Sequence, residues 1–429
     1  EKVDIVLENL IKQTRIMNQM YDVLVTNPPY AGNKYLNPVL SQYFQDYYKN
    51  YKTDMFSVFM VYCMKQVQKN GHLGFVTPYV WMSISSYSKL RKLVVDNKSI
   101  SSLIQLEYNA FEVAVVPVCT FTLRNYSVDV HGNYIRLSDF KGIENQPIKT
   151  LEAIKDPTVS YRYEVITKNY SKIPDYPIAY WVDEKVIKSF DGKKVSDYGE
   201  AKQGLATADN NRFVRLWTEV DINNIGFDIS NRDEAIESGL KWFPYNKGGG
   251  YRKWFGNSLF VVNWKDDGFE IKNNVDENGK QKSRPQNKDY YFKRCLSWGK
   301  VSNIQISFRY IPQGHIFDVA GCSLFLSDSN LYYFLGVLNS KVVNEMLGFM
   351  SPTMNYEVGQ VSNIPIIVSE DKKNSIEELV KKAIEISKNE WDMSELSWHF
   401  QKHPFIKKDV ALIKDALFKV NHIIDDNIN

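Results

Sequence analysis

The chain has 429 residues, of which 44% are hydrophobic and 24% charged, a composition typical of soluble globular proteins with two or three domains. No apolar run reaches the roughly 18 residues of a membrane helix, and no charged-then-apolar leader opens the chain. We therefore expect a cytoplasmic protein without a membrane partner. The four cysteines are widely separated, which favours reduced core residues over disulfides or zinc ligands.

The net charge of +3 is unevenly distributed along the chain. Residues 241–310 contain 14 Lys and Arg residues against 6 Asp and Glu residues, so the rest of the chain is net negative. Many Trp and Tyr residues fall in the same basic window. Such a segment indicates contact with phosphate groups, and a solvated basic surface is the open alternative.

The first 125 residues alternate between strands and helices. Residues 1–20 are typical of a helix, and the apolar run 22–26 predicts a strand that is buried on both faces and paired on both sides. Later strands are predicted at 73–77, 100–108 and 117–124, and helices at 38–49, 54–69 and 85–96. This order predicts an α/β fold with a mainly parallel sheet of about four strands, the last two forming an antiparallel hairpin at one edge.

Four strands are fewer than a doubly wound sheet usually has, and nothing before residue 22 could pair with the first strand. We therefore expect the C-terminal half of a Rossmann-like sheet. After residue 126, short β-rich runs and polar turns predict a mixed α+β region, followed by helices at 331–346 and 375–389 and a helical tail.

The most informative stretch is Asn27-Pro28-Pro29-Tyr30, the NPPY loop, which follows the first strand. The loop sits where open α/β sheets bind ligands, at the carboxyl end of a strand. The Asn27 amide oxygen and the Pro28 carbonyl could accept the two protons of a planar exocyclic amine, and the Tyr30 ring could stack on its face. The alternative is an ordinary turn.

Three further elements could complete such a pocket. Phe111, in the loop between the last two strands, could face Tyr30 and sandwich a flat base, although a core position is equally compatible with the sequence. Phe56, at a helix start capped by Thr53 or Asp54, could line an adenosine pocket, and core packing is again the alternative. Thr77 and Pro78 end another strand and could form the floor.

These groups suit the transfer of a methyl group to an amino nitrogen. The lone pair of an aromatic amine is delocalised into the ring, and accepting both of its protons favours a tetrahedral nitrogen with a localised lone pair. The methyl donor must lie in line, within about 3–3.5 Å. An adenine inside a duplex must first be flipped out, and two aromatic rings would replace its lost stacking.

Several stretches resemble motifs of the amino-methyltransferases. The NPPY loop is similar to their motif IV, residues 54–56 to motif V and residues 71–78 to motif VI. Phe111 falls where the base-stacking aromatic of motif VIII belongs. Nearly the whole chain resembles, more closely, the gamma-type adenine-specific N6-methyltransferases of bacteriophage-exclusion (BREX) systems. The later stretches that carry this resemblance are 85–91, 208–213, 241–249, 307–310, 339–341, 390–392 and 403–404.

The resemblance implies a DNA methyltransferase that uses S-adenosylmethionine, with Asn27, Phe56, Thr77 and Pro78 among the cofactor contacts. The family holds the cofactor mainly through a Gly-rich strand–loop–helix upstream of motif IV, and residues 1–20 contain no glycine. We therefore interpret the chain as an internal fragment of a longer protein. We expect it to be inactive alone and not to bind S-adenosylmethionine measurably.

The resemblance also implies the domain organisation and the contact with double-stranded DNA. We predict a partial catalytic domain over 1–135, a connector over 136–185, a DNA-recognition domain over 186–368 and a helical segment over 369–429. Other defence-system proteins are possible partners. The candidate DNA-binding residues are Lys89, Arg91, Lys202, Arg212, Arg215, Lys247, Arg252 and Arg309. Residues 247–252 are a glycine loop with cations at both ends, which suits close approach to phosphate.

Two other functions remain open at this point. Methylation of a protein glutamine amide uses the same four-residue motif, but such enzymes lack a large aromatic-rich appendage like residues 130–429. A non-catalytic DNA-binding module that keeps the loop is the other alternative. His399 and His403 are four residues apart, but no third ligand is evident, so we predict no metal site.

Overall fold

The computed structural model describes residues 2–108, 110, 116–303, 305–351, 354–403, 406, 412 and 414–415, with side chains from residue 7 onward. The chain divides into two compact units, residues 1–191 and 192–429. Each unit has its own hydrophobic core.

The first unit is built around one six-stranded sheet. Its strands are β1 (Tyr21–Thr26), β2 (Val67–Pro78), β3 (Ser99–Gln105), β4 (Val118–Arg124), β5 (His131–Arg136) and β6 (Arg162–Ile166). Its helices are α1 (Lys2–Asn18), α2 (Pro38–Tyr47), α3 (Met55–Gln66), α4 (Ser88–Asn97), α5 (Asn145–Lys155) and α6 (Glu184–Ser189). The α/β class and the antiparallel pairing of β3 with β4 are confirmed.

The strand order β1-β2-β4-β3-β5-β6 corrects the expected sheet in two respects. First, β5 and β6 extend it beyond the β3–β4 hairpin, which is therefore internal and not at an edge. Second, only β1–β2 and β3–β5 are parallel among the five neighbouring pairs, so the sheet is mixed and not mainly parallel. The sheet is mixed because β4 runs antiparallel to both of its neighbours, β2 and β3, and β6 runs antiparallel to β5.

β1 lies at the edge of the described sheet and pairs with β2 alone, in keeping with the expectation that nothing before residue 22 could supply its second partner. The expected burial of both its faces is wrong. Val23 and Val25 are 59% and 75% exposed, whereas Leu24, between them, packs against the core. One face of β1 therefore packs on the core and the other is exposed to solvent. The uniformly apolar sequence did not distinguish the two faces.

The boundary between α3 and β2 also differs from the expected one. The helix was predicted to continue to residue 69, but it ends at Gln66 and β2 follows at once. The side-chain amide of Asn125 donates to the carbonyls of Met64 and Val67 and so satisfies the chain where the helix stops. Gly71 is a strand residue: a Cβ there would lie 2.4 Å from the Asp22 carbonyl oxygen of β1. Glycine thus allows the close approach of two strands at this position.

The second unit contains two four-stranded sheets, with orders β13-β9-β10-β8 and β12-β11-β14-β7. The strands are β7 (Gly199–Lys202), β8 (Val214–Leu216), β9 (Trp242–Asn246), β10 (Phe260–Asn263), β11 (Cys295–Gly299), β12 (Phe308–Ile311), β13 (Ile316–Phe317) and β14 (Gly321–Leu326). The helices are α7 (Asn210–Phe213), α8 (Arg232–Glu237), α9 (Lys265–Lys272), α10 (Asp328–Leu338), α11 (Lys341–Met350), α12 (Val358–Ser362) and α13 (Glu370–Asp392). The expected mixed α+β character of this region is confirmed.

The structure divides the chain differently from the sequence. Residues 136–185 were expected to be a connector, but they contain α5 and the sheet strand β6 and lie within the first unit. The segment from residue 369 was expected to be separate, but α13 packs on α10 within the second unit. The single helix expected at 331–346 is two helices, because Ser340 caps a new one through its hydroxyl. None of the helices in the described ranges is long and apolar enough to cross a membrane. All four cysteines are buried free thiols.

Candidate functional site

The NPPY loop leaves the carboxyl end of β1, beside the carboxyl end of β2, which carries Thr77 and Pro78. The two strands are parallel and in register from Val23–His72 to Thr26–Phe75, so both ends fall at one edge of the sheet. Within the loop, Asn27, Pro29 and Tyr30 are exposed and Pro28 is buried. Asn27 and Tyr30, which are predicted to bind an amine, are therefore accessible at the surface, whereas Pro28 is enclosed by the protein.

The Tyr30 hydroxyl ties the loop together. It lies 2.8 Å from Asn27 Oδ1 and 3.0 Å from the carbonyl oxygen of Val76 in β2, and donates its proton to these acceptors. Burial raises the pKa of Tyr30 above its usual value, with an added contribution from Cys119, so the hydroxyl stays protonated at neutral pH. Because the hydroxyl is the donor, it holds the oxygen end of the Asn27 amide towards the tyrosine.

Asp54 fixes the position of the loop, a role that the sequence analysis did not assign. Its Oδ1 accepts from the backbone N–H of Ala31 at 3.0 Å and from that of Phe56 at 3.2 Å, so one carboxylate caps α3 and anchors the residue after the loop. The Met55 N–H returns a bond of 3.0 Å to the Ala31 carbonyl. Partial burial raises the pKa of Asp54, and the hydrogen bonds from these backbone N–H groups offset part of that rise. A capping aspartate shortly after an NPPY loop is the signal that could have found it.

The three residues expected to contact the cofactor through their side chains lie in the core. Phe56 is 1% exposed, Thr77 is fully buried and Pro78 is buried. The Phe56 ring lies edge-on to Tyr30 at 6.3 Å and packs against Tyr87 at 5.4 Å. The burial of Phe56 and its ring contacts agree with the core-packing alternative for this residue.

Phe111, the second predicted stacking aromatic, lies outside the described residues. Ala110, beside it, is described and is buried. The structure thus places Asn27 and Tyr30 together and leaves the sandwich partner as a prediction.

The two cations predicted on α4 have different environments. Lys89 is exposed, in keeping with a surface role. Arg91 is fully buried and donates to the carbonyl oxygens of Asp175 at 2.8 Å, Trp81 at 2.9 Å and Ile84 at 2.6 Å. Burial lowers its pKa to about 10, so it remains charged at neutral pH. Arg91 therefore holds the segments around α4 together, and its assignment to DNA binding is wrong for this conformation.

In the second unit, two of the predicted cations line one open groove. Arg215 and Lys247 lie in an open groove together with the amides Asn210 and Asn211. The Arg215 guanidinium donates to the Val214 carbonyl at 2.7 Å, and this bond holds the side chain in place. Two cations and two amides on one open surface are groups that bind phosphate and base edges. The remaining lining residues are Val214, Leu216, Glu219 and Phe260.

The other four cations of the prediction are engaged with neighbours. Lys202 is paired with Glu200, and Arg212, 53% exposed, lies 3.4 Å from Glu270. Arg252 joins the loop after β9 to α13, through bonds of 3.1 Å to the Ser387 carbonyl and 2.7 Å to Glu390. Arg309 is 1% exposed, and its guanidinium donates to the Gly248 carbonyl. In this structure the Arg252 guanidinium is engaged with α13 and the Arg309 guanidinium is buried, and their assignment to DNA binding stays a prediction.

The comparisons with known proteins first give the class. Residues 3–111, which include the NPPY loop and Asp54, match the family described as Eco57I restriction-modification methylase. The fold agrees with this class: the Type IIL restriction-modification enzyme MmeI, solved in complex with DNA, superimposes with a TM-score of 0.50 at 14% identity, over 94% of this chain and 53% of that chain.

Two relatives are more specific. The chain is 34% identical over 402 residues to the adenine-specific methyltransferase PglX of Lacticaseibacillus casei (strain Zhang). It is 33% identical over 436 residues to the adenine-specific methyltransferase BrxX of Escherichia coli O9:H4 (strain HS). These alignments cover 92% and 98% of this chain but 33% and 34% of the relatives, so the chain spans about a third of their length. The chain is a homologue of adenine-specific methyltransferases, which confirms the resemblance seen in its motifs.

Proposed function

We propose that this chain is the amine-binding and DNA-contacting part of a site-specific DNA methyltransferase. The whole protein transfers a methyl group from S-adenosylmethionine to N6 of an adenine flipped out of the duplex, in a phage-defence system of the BREX or restriction-modification type. The observation that carries the proposal is the exposed Asn27 amide at the carboxyl end of β1, oriented by the Tyr30 hydroxyl.

The loop residues would act on the target amine through hydrogen bonding and stacking. An amide oxygen has two lone pairs, so Asn27 Oδ1 keeps one acceptor site when Tyr30 occupies the other. With the Pro28 carbonyl as second acceptor, both amine protons are held and the nitrogen lone pair becomes available for attack. The Tyr30 ring, 37% exposed, offers a surface for the flipped base.

The methyl donor requires more protein than the loop provides. S-adenosylmethionine supplies an electrophilic methyl group when bound. Of the described residues assigned to it, Asn27 is exposed, whereas Phe56, Thr77 and Pro78 are buried. We propose that the main cofactor-binding loop lies upstream of the NPPY loop, as the family resemblance implies. In keeping with this, we expect the isolated chain not to bind the cofactor.

The second unit would hold the DNA. The groove with Arg215, Lys247 and the two amides supports this role, because cations neutralise backbone phosphates while amides can bond to base edges. The basic surplus of residues 241–310 also favours DNA binding, although five of its cations are paired with carboxylates: Lys247, Arg252, Lys272, Arg294 and Lys300.

A labelling experiment on the full-length protein tests the proposal. The protein is incubated with isotopically labelled S-adenosylmethionine and duplex DNA, with and without the other proteins of its defence system, and the DNA is digested to nucleosides. We expect the label in N6-methyladenine. Label in glutamine residues of added protein, with none in DNA, would instead support a glutamine methyltransferase. Binding of DNA without any transfer would support a non-catalytic module.

A further inference from the structure

Arg309, in β12, is a buried cation with an incomplete set of partners. Its side chain is 1% exposed, and its Nη2 donates to the carbonyl oxygen of Gly248. Nε and Nη1 are buried and have no hydrogen-bond partner among the described residues. A guanidinium has five N–H donors in a planar fork, so most of its bonding capacity is unused here.

Among the described residues, Arg309 has no carboxylate partner, and the carboxylates that pair with Lys247 and Arg252 serve those cations. Asp318 lies 3.9 Å from Lys247 Nζ, and Glu390 lies 2.7 Å from the Arg252 guanidinium. Burial lowers the pKa of Arg309 to about 10, with repulsion from Arg252 adding to it, so Arg309 is still charged at neutral pH. A buried charge is costly unless an opposite charge and hydrogen bonds compensate it. Arg309 therefore sits where an anion would be strongly favoured.

The acceptor of the guanidinium belongs to a glycine loop in which Gly248 is buried and the next two glycines are at the surface. Gly248 and Gly249 have φ angles of 79° and 102°, which glycine adopts far more readily than other residues. Gly249 and Gly250 are exposed, and a Cβ on Gly250 would meet nothing within 4 Å. The Gly248 carbonyl is thus an acceptor on a short, permissive loop, and it occupies one bonding position of the buried guanidinium.

We propose that Arg309 and the glycine loop, residues 247–250, form a phosphate-binding site in which a phosphate oxygen replaces the Gly248 carbonyl as the acceptor of the guanidinium. The inference rests on the proposed function, because a backbone phosphate of bound DNA is the expected source of the anion. Inorganic phosphate has the same chemistry and is the simplest probe. The guanidinium fork matches two oxygens of one phosphate, which a lone carbonyl cannot supply.

Thermal unfolding of the full-length protein tests the site without DNA. The melting temperature is measured in inorganic phosphate and in sodium chloride of equal ionic strength, for the unmodified protein, Arg309→Gln and Lys265→Gln. Lys265 is an exposed cation of the same basic window and serves as the control. We expect phosphate to raise the melting temperature of the unmodified protein and of Lys265→Gln, and not that of Arg309→Gln. Without phosphate, Arg309→Gln should melt no lower than the unmodified protein, because it removes an uncompensated buried charge.

A second experiment measures the binding of duplex DNA and determines the slope of log Kd against log salt concentration. Loss of one phosphate contact should make the slope of Arg309→Gln shallower by about 0.9, and Lys265→Gln should keep the full slope. An Arg309-dependent phosphate shift without DNA binding would retain the site, with free phosphate as its ligand, and would contradict the proposed function. No phosphate-specific shift in the unmodified protein would overturn the inference, whether or not the variant folds. An unchanged shift and slope in Arg309→Gln would also overturn it.

Discussion

The Tyr30 hydroxyl lies 2.8 Å from Asn27 Oδ1 and 3.0 Å from the Val76 carbonyl, so one side chain joins two residues of the NPPY loop to the neighbouring strand β2. Tyr30 therefore contributes in two ways: its ring faces the surface, and its hydroxyl orients the amide that would bind the amine. These contributions can be separated by substitution.

Tyr30→Phe keeps the ring and removes the hydroxyl. Since one hydrogen bond contributes about 1 kcal/mol, we expect the single-turnover methylation rate of the full-length protein to fall about 5-fold to 10-fold, with unchanged affinity for DNA. Tyr30→Ala also removes the stacking surface, which contributes about 1–3 kcal/mol per base, and should lower the rate about 30-fold to 1000-fold in total. Equal rates for Tyr30→Phe and the unmodified protein would show that the hydroxyl does not position Asn27.

Asp54 offers a matched pair of substitutions, because a single oxygen accepts from both Ala31 and Phe56. Asp54→Asn keeps an acceptor oxygen at this place, whereas Asp54→Ala leaves both N–H groups without one. Loss of a capping side chain costs about 1 kcal/mol or more. We expect Asp54→Ala to lower the melting temperature and to reduce methylation about 10-fold or more, and Asp54→Asn to retain most of both. Similar losses in the two variants would mean that the charge, and not the acceptor, is required.

Arg91 and Lys89 provide a contrast between a buried and an exposed cation on α4. Arg91→Ala removes the donor to three carbonyl oxygens and should destabilise the first unit by about 3 kcal/mol, which corresponds to a melting temperature lower by about 6–12 °C. Lys89→Ala should leave the melting temperature unchanged. Scanning calorimetry measures both. A variant of Arg91 with normal stability and weakened DNA binding would restore the original assignment.

The groove of the second unit predicts a sequence-independent effect on DNA affinity. Arg215→Ala and Lys247→Ala should each weaken binding to all duplexes and make the slope of log Kd against log salt shallower by about 1. Lys202→Ala is the control, because Lys202 is already paired with Glu200 and lies outside this groove. The slope is measured by fluorescence anisotropy with two unrelated duplexes. A larger effect on one duplex than on the other would indicate base recognition instead.

The sequence predicted the α/β class, the NPPY loop at a strand end and the β3–β4 hairpin, because these depend on local patterns: apolar runs, prolines and short connections. It did not predict that β5 and β6 join the same sheet, since the pairing of β3 with β5 joins distant segments. It also named Arg91 and Arg309 as candidates for DNA binding and could not distinguish buried from exposed cations. The burial of Arg91 and Arg309 depends on carbonyl groups supplied by other parts of the chain.

The role of Asp54 could be predicted from the sequence only in part. Its role as a helix cap follows from its place before α3, but its bond to Ala31 requires the loop and the helix to meet in space. Likewise, Phe56 and Thr77 match the motifs of a cofactor pocket, and only the fold shows that the core encloses them.

In the proposed function, Asn27 binds the amine that is methylated. The most direct test is the methylation rate and the DNA affinity of Asn27→Ala in the full-length protein, measured on the same duplex. We expect N6-methyladenine formation to fall by about 1000-fold or more, as for loss of a group that stabilises the transition state, while the Kd for DNA changes less than about 2-fold. Retained methylation, or a parallel loss of DNA binding and activity, would contradict the claim.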